Sequence, residues 1–380
     1  MNFDWTPEEQ EIKEKVAKLF DQDARDDLES MEAADLPGLR EMTIDYLGRL
    51  AGTGYLQLGI GPDGREQTTA LIAAQEALAG ISGSLFLAVE ASTRLFGGLV
   101  AGWGKDGTSS DILAPLQRGE MIGAVALSEV EDPTSPVQFT TSAWKDGNDY
   151  IVSGKKNFVS NGPIADCFAV VGELDGKLAI FLVDADQQGV KKGARLSTVG
   201  YNGLAVCSLE LDQVRVAETR VIGPLEDRSP LEFLNQSNDL ILSVASVGLI
   251  QRTVAVSMVH SQSHQRGGKP VFHYQEIRFK FAEMLTLSHA AQLLAYRAGW
   301  FLATADPEAV TVLNCAKVFT AEASEQVAGM AMQIMAGKGY VSGNIVERGY
   351  REAKYAAIAG TTSENARMAV ADDLLRKYKV

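Results

Sequence analysis

Phe168-Ala169-Val170-Val171, the turn Asp175-Gly176, and Leu178-Ala179-Ile180-Phe181-Leu182-Val183 form the stretch whose reading decides the fold. Two short β-branched and aromatic runs separated by Asp-Gly are the pattern of an antiparallel hairpin, because Asp-Gly tolerates the positive φ angles of a tight turn. Tyr150-Ile151-Val152, after Asp146-Gly147-Asn148, repeats the pattern upstream. A β unit is therefore expected over 119–222. On its N-terminal side the signal changes to helix. Thr6-Pro7-Glu8-Glu9 reads as a helix start with a Thr cap, Pro at the first helical position and Glu three residues after the cap. Ile12, Val16, Leu19 and Phe20 follow at helical spacing, and residues 68–102 are rich in Ala and Leu, punctuated by glycines. On the C-terminal side, Ile277, Phe281, Met284 and Leu285 fit one helical face, and 308–336 is nearly all helix formers. The expected fold is mainly α with a central antiparallel β domain (α+β), divided into 1–118, 119–222 and 223–380. Helix, sheet, helix without βαβ alternation excludes a Rossmann domain, and neither GxGxxG after a strand nor GxxxxGK[ST] occurs.

Bulk composition narrows the function classes. The chain has 380 residues, 46% of them hydrophobic, enough for two or three packed units around a large core. The formal charge of −14 would repel nucleic acid and anionic lipid, so neither is an expected partner. No apolar run approaches the eighteen or so residues that a membrane span needs, and no export signal is read at the start, so a soluble, cytoplasmic protein is expected. Cys167, Cys207 and Cys315 are odd in number and widely spaced, which fits reduced thiols and no zinc site.

Four stretches, in order, resemble the acyl-CoA dehydrogenases. Ala126-Leu127-Ser128-Glu129 resembles A-L-T-E, where a hydroxyl and backbone groups face the flavin. Lys156-Asn157-Phe158-Val159-Ser160-Asn161-Gly162 resembles K-x-W-I-T-N-G, whose aromatic residue packs by the isoalloxazine and whose hydroxyl bonds it. Gln333-Ile334-Met335-Ala336-Gly337-Lys338-Gly339-Tyr340 resembles Q-x-x-G-G-x-G-Y, which holds the pyrophosphate and adenine end of a neighbouring subunit's FAD. Arg351-Glu352-Ala353-Lys354, then Gly360-Thr361, resembles the R-D-A-K and E-G-T-S run that crosses the active site, which makes Thr361 a candidate FAD contact. The residue types suit a flavin, which needs an apolar face for its ring, short hydroxyls for the ring edge, and glycines where backbone must approach phosphate. The resemblance implies an N-terminal helical domain, a β-barrel-like middle domain and a C-terminal four-helix bundle. It also implies FAD as cofactor, an acyl-CoA substrate, electron-transfer flavoprotein as redox partner, and a homo- or hetero-tetramer.

The sequence departs from that pattern where the chemistry is done. The family's reaction needs a carboxylate beside Cα. Its usual slot is Ala359 here, and the alternative slot, expected at the start of the first long C-terminal helix, is Asn238. Glu90, in the apolar run Leu85–Ala91, and Asp239 are the two candidate substitutes, against an i,i+4 pair with Arg94 for the first and a helix-dipole role for the second. Glu364 is read instead as a capping-box partner of Thr361. The flavin arm R-x-x-F-G becomes His264-Gln265-Arg266-Gly267-Gly268, so His264 and Arg266 are candidate FAD contacts. The thioester loop becomes Ser128–Pro136, with Thr134 and Ser135 as candidate substrate contacts beside Asn238, Ala359 and Gly360. Two functions are expected in competition. One is a dehydrogenase with a relocated base acting on a cyclic or branched acyl group; the other is a non-catalytic subunit of a hetero-oligomer. A base-free flavin-dependent elimination is a third.

Overall fold

The computed structural model describes residues 5–60, 67–105, 107–129 and 139–378. Helices α1 (Pro7–Lys18), α2 (Gln22–Ser30), α3 (Leu36–Ala51), α4 (Thr68–Ile81), α5 (Gly83–Glu90), α6 (Gly98–Trp103) and α7 (Thr108–Gln117) come first, with Ala91–Gly97 as a π-helical turn between α5 and α6. Strands β1 (Gly123–Ala126), β2 (Ser142–Asp146), β3 (Asp149–Ser160), β4 (Cys167–Leu174), β5 (Lys177–Asp184), β6 (Val190–Lys192), β7 (Val206–Ala217) and β8 (Val221–Leu225) follow. Helices α8 (Ser229–Ser263), α9 (Gln275–Ala303), α10 (Ala309–Met335), α11 (Ile345–Glu352), α12 (Tyr355–Ile358) and α13 (Ser363–Lys377) complete the chain. A two-stranded hairpin, β9 (Gln265–Arg266) with β10 (Lys269–Pro270), sits between α8 and α9.

The start of α1 forms as its sequence dictates: the Thr6 hydroxyl accepts from Glu9 N, and the Glu9 carboxylate accepts from Thr6 N. The sheet runs β6-β7-β3-β2-β4-β5-β8, and the two hairpins β2–β3 and β4–β5 are antiparallel. The sheet is nevertheless mixed, since β1 and β2 both pair with β4 in parallel. Alternation along β4 explains its unbroken apolar run: Phe168 and Val170 enter one core, Cys167, Ala169 and Val171 the other. The second of these cores is closed by Phe96, Leu99, Val100 and Leu116 from the helical segment before the sheet.

The first and last segments share a core, in which Leu78, Leu85 and Val89 pack with Ile241, Val244 and Ala356. In the C-terminal part α10 packs against α8, α9 and α13. Phe281 and Met284 are buried there, whereas Leu285, expected on the same face, is half exposed. Residues 83–103 and Ser229–Ser263 are long and apolar enough to cross a membrane by composition, unlike the expectation from uninterrupted runs; the most apolar eighteen-residue window of each is mostly buried inside the protein, as in core helices. One expected cap is also corrected. Helix α13 is capped by Thr362, whose hydroxyl accepts from Asn365 N, so Thr361 and Glu364 form no capping box. Helix α10 ends at Ala336, which takes φ 49 and ψ −132, one residue before Gly337. That region is comfortable only for glycine. Replacing Ala336 with glycine is expected to raise stability by about 1 kcal/mol, read by denaturant unfolding.

Candidate active site

The site is built around an irregularity in β3. Pairing with β7 breaks between Lys156 and Val159, so Asn157 and Phe158 leave the ladder. Phe158 takes φ 53 and turns outward, 63% exposed. Positive φ is unfavourable for a bulky residue and persists only where neighbours enforce it. Here they do. Asn157 N donates to Ser128 O at 2.7 Å and Asn157 Nδ2 to Glu129 O at 3.0 Å. Lys156, fully buried, donates to Leu127 O at 3.1 Å and to Glu129 Oε1 at 2.5 Å. The Glu129 carboxylate also accepts from Thr140 N, the Thr140 hydroxyl and Thr141 N. Burial opposes its ionisation, but the Lys156 ammonium and the threonine donors outweigh that and hold it down at about 2. Burial pushes Lys156 down to about 8 against the pull of Glu129, so both remain charged at neutral pH. The result is a fixed platform of half-buried Leu127, exposed Ser128 and exposed Phe158.

The end of β3 joins this platform to the helices. The Ser160 side chain lies beside the Tyr355 phenol of α12, whose proton is held more tightly than usual by burial. Asn161, at φ 61, donates from Nδ2 to Ala88 O of α5 at 2.8 Å. Tyr355 stacks edge-on against Tyr201, with ring centroids 5.5 Å apart. Both contacts escape sequence inspection, because each partner lies far along the chain.

Residues 359–361 form the opposite wall. Gly360 has φ 63, and a Cβ there would lie 2.5 Å from Asp239 Oδ1 and 2.9 Å from Asn238 Nδ2. Asn238, Asp239, Ala359, Gly360 and Thr361 are thus brought together, and the two customary base slots are neighbours in space. Asn238 and Asp239 lie some three turns inside α8, which begins at Ser229, so Asp239 is not at a helix N-terminus. Asp239 is 3% exposed, accepts from Thr361 N at 2.9 Å and pairs with Lys317 at 3.4 Å. Glu90 is completely buried in a separate polar cluster. It accepts from the Tyr55 hydroxyl at 2.6 Å and from Gln75 Nε2 at 2.5 Å, with Arg94 Nε 3.8 Å away. Burial raises its pKa, against the opposing effect of Arg94, Tyr55 and Gln75. Lys317 is not among the residues the sequence singles out, although a lone lysine sharing a helix face with Leu313, Thr320 and Ser324 is a signal for a buried partner.

His264, Arg266, Gln333 and Gly337 are all exposed, near the C-terminal ends of α8 and α10. The His264 ring stacks on His260 at 4.9 Å, and Lys338 lies near enough to His260 to contribute to its lowered pKa, after burial and His264. Gly267 and Gly268 take φ 58 and 76 in the hairpin turn, and nothing lies within 4 Å of a Cβ built on Gly337. Thr134 and Ser135 fall outside the described residues. The residues present fit FAD at both ends. An exposed aromatic ring flanked by two serines suits the isoalloxazine, and exposed Arg266 and Lys338 with open glycine backbone suit a diphosphate.

A three-part helix–sheet–helix chain with such a platform defines a class of flavin-dependent oxidoreductases. Residues 124–214 match the family model described as "Acyl-CoA dehydrogenase, middle domain", and residues 237–375 that described as "Acyl-CoA dehydrogenase, C-terminal domain", together more than half of the chain. The chain belongs to the acyl-CoA dehydrogenase family, whose cofactor is FAD. Among similar proteins is a 3-(aryl)acrylate reductase of Clostridium sporogenes, 28% identical over 97% of this chain and 99% of the relative. A benzylmalonyl-CoA dehydrogenase of Aromatoleum aromaticum is 24% identical over 98% and 100%. The butyryl-CoA dehydrogenase structure from Megasphaera elsdenii shares the fold at a TM-score of 0.87 and 23% identity, covering 99% of this chain and 100% of that one.

Proposed function

We propose that this chain acts at the Cα–Cβ bond of an acyl-CoA thioester bearing a ring, and exchanges electrons with an electron-transfer flavoprotein. The observation that carries this reading is the meeting of two walls, the Leu127–Ser128–Phe158–Ser160 platform and the 355–361 segment, where Ser160 and Tyr355 come together. FAD held on the platform supplies hydride chemistry. Ala359 offers a methyl group where relatives of the E-G-T-S pattern carry a carboxylate, which leaves room for a bulkier acyl group. Two relatives are named for aryl compounds, which supports a ring-bearing substrate.

The remaining question is the Cα proton. Glu90 and Asp239 are both buried and both engaged, so we assign them supporting roles and not the role of base. The Tyr355 phenol is a titratable group that stands beside Ser160 of the platform. Burial raises its pKa, so at neutral pH it is a protonated phenol and not a base. That suits saturation of a Cα=Cβ bond, with Tyr355 protonating Cα. Tyr355→Phe is expected to slow this reaction about 100-fold, in the range of general acid catalysis, with bound flavin unchanged. A second reading, the non-catalytic subunit, is favoured by the absence of a carboxylate at both 238 and 359.

The deciding experiment is to purify the chain, record its visible spectrum and titrate it with straight-chain, branched and ring-bearing acyl-CoAs. The photoreduced protein is then titrated with the corresponding unsaturated thioesters. Bleaching by a saturated thioester, or reoxidation by an unsaturated one, supports an enzyme and identifies its direction. A colourless chain that takes up no FAD sinks this reading in favour of the subunit.

A further inference from the structure

The segment that crosses the site is gripped from beneath by two charges with almost no exposure. Lys317 Nζ of α10 donates to Ala359 O at 2.7 Å and to Thr361 O at 2.6 Å, one on either side of Gly360. Asp239 Oδ1 of α8 accepts from Thr361 N at 2.9 Å and lies 3.4 Å from Lys317. One ammonium drawing in two carbonyls folds the peptide around Gly360, which takes the left-handed conformation at φ 63. The fit is specific to glycine, since a Cβ would stand 2.5 Å from the same carboxylate oxygen. A buried ion pair is weak evidence for stability, because apolar replacements of similar volume often serve as well. What this pair does that an apolar pair could not is fix three peptide groups of one segment in place.

We infer that Asp239 and Lys317 are positioning residues, a charged clamp that sets the 359–361 segment against the bound thioester. The inference rests on the function proposed above. The clamp governs turnover and leaves FAD on the platform undisturbed, because neither residue bonds Leu127, Ser128, Phe158 or Ser160. It also accounts for an acidic residue beside the empty slot at Asn238: the carboxylate serves the segment, not the substrate.

The test compares Asp239→Asn, Lys317→Gln and the double variant in the full chain carrying FAD. Each single variant is expected to keep its flavin and a KM within about threefold of the parent, and to lose at least about tenfold in kcat. The double variant is expected to be no slower than the slower single, as for groups acting as a unit. The pH profile should keep its acid limb. Two results overturn the clamp: kcat per bound flavin unchanged in both singles while thermal stability falls, or loss of the acid limb in Asp239→Asn, which would make Asp239 the base. If either single variant fails to fold, Gly360→Ala presses on the same contact from the other side. It should show the same kcat loss with flavin retained, and an unchanged kcat would remove the proposal. A parent that binds a thioester without turnover is read through the shift of its flavin band on binding. That shift should be lost in the variants if the clamp positions the segment and kept if it does not. An inactive parent counts against the proposed reaction, whereas an active parent with unaltered variants counts against the clamp alone.

Discussion

Replacing Glu90 with leucine should cost about 3–5 kcal/mol of folding stability, the range for breaking a buried charged network by removing one partner. Both Glu90 oxygens are used, by the Tyr55 hydroxyl and by Gln75, and the Arg94 guanidinium lies alongside. Arg94 is itself nearly buried and donates to Tyr55 O and Leu56 O, so the cluster ties α5 and the π-helical turn to the residues after α3. Leucine would leave a phenol and an amide without their acceptor, and a guanidinium without its counter-ion, in a dry interior. Glu90→Gln keeps the shape and an acceptor and should be markedly milder. Denaturant unfolding of the two variants measures the difference. The amide variant also separates hub from base: if Glu90 is a hub, turnover per bound flavin stays within a few-fold of the parent, whereas a base would lose several orders of magnitude.

What could be read in the sequence divides along a physical line. Local codes were legible: the Thr6 capping box, the Asp-Gly hairpins, and the helical spacing of Ile12 and Val16 all form as composition requires, although α1 stops before Phe20. Each depends on residues within a few positions of one another. The parallel pairing of β1 and β2 with β4 was not legible, because parallel neighbours are joined by long connections that leave no turn signature. The site shows the same division. The platform residues could be picked out by motif, but not the bulge that turns Phe158 outward, nor the Asn157–Ser128 and Asn161–Ala88 bonds that impose it. Nor could the sequence tell that Asp239 is already committed to Thr361 and Lys317. A carboxylate beside an empty catalytic slot looks available until its partners are seen, and here those partners lie on α10 and beyond the last turn of α12.

Lys156→Met should cost a comparable amount, about 3–5 kcal/mol, and should also release FAD. The lysine is fully buried, and methionine can fill its volume but not its bonds. Leu127 O would lose its donor, and the Glu129 carboxylate would stay nearly buried without its cation. Glu129 can keep its charge only by rotating toward solvent, which breaks its bonds to Thr140 and Thr141, or lose it by taking up a proton. Either response shifts the 127–129 stretch that Asn157 fastens beside Phe158, so cofactor retention should fall with stability. The pair also predicts a pH dependence of definite sign. With its folded pKa held down at about 2 against an ordinary value of 4.5, Glu129 contributes stability that is complete above about pH 4.5. That contribution is lost as pH falls toward 2, because the unfolded chain then binds the extra proton. Glu129→Gln should flatten that part of the acid slope, between about pH 2 and 4.5, measured as unfolding free energy against pH. An identical slope in parent and variant would mean that the pair is not ionised in the folded protein, and the account of how Phe158 is held outward would fall with it.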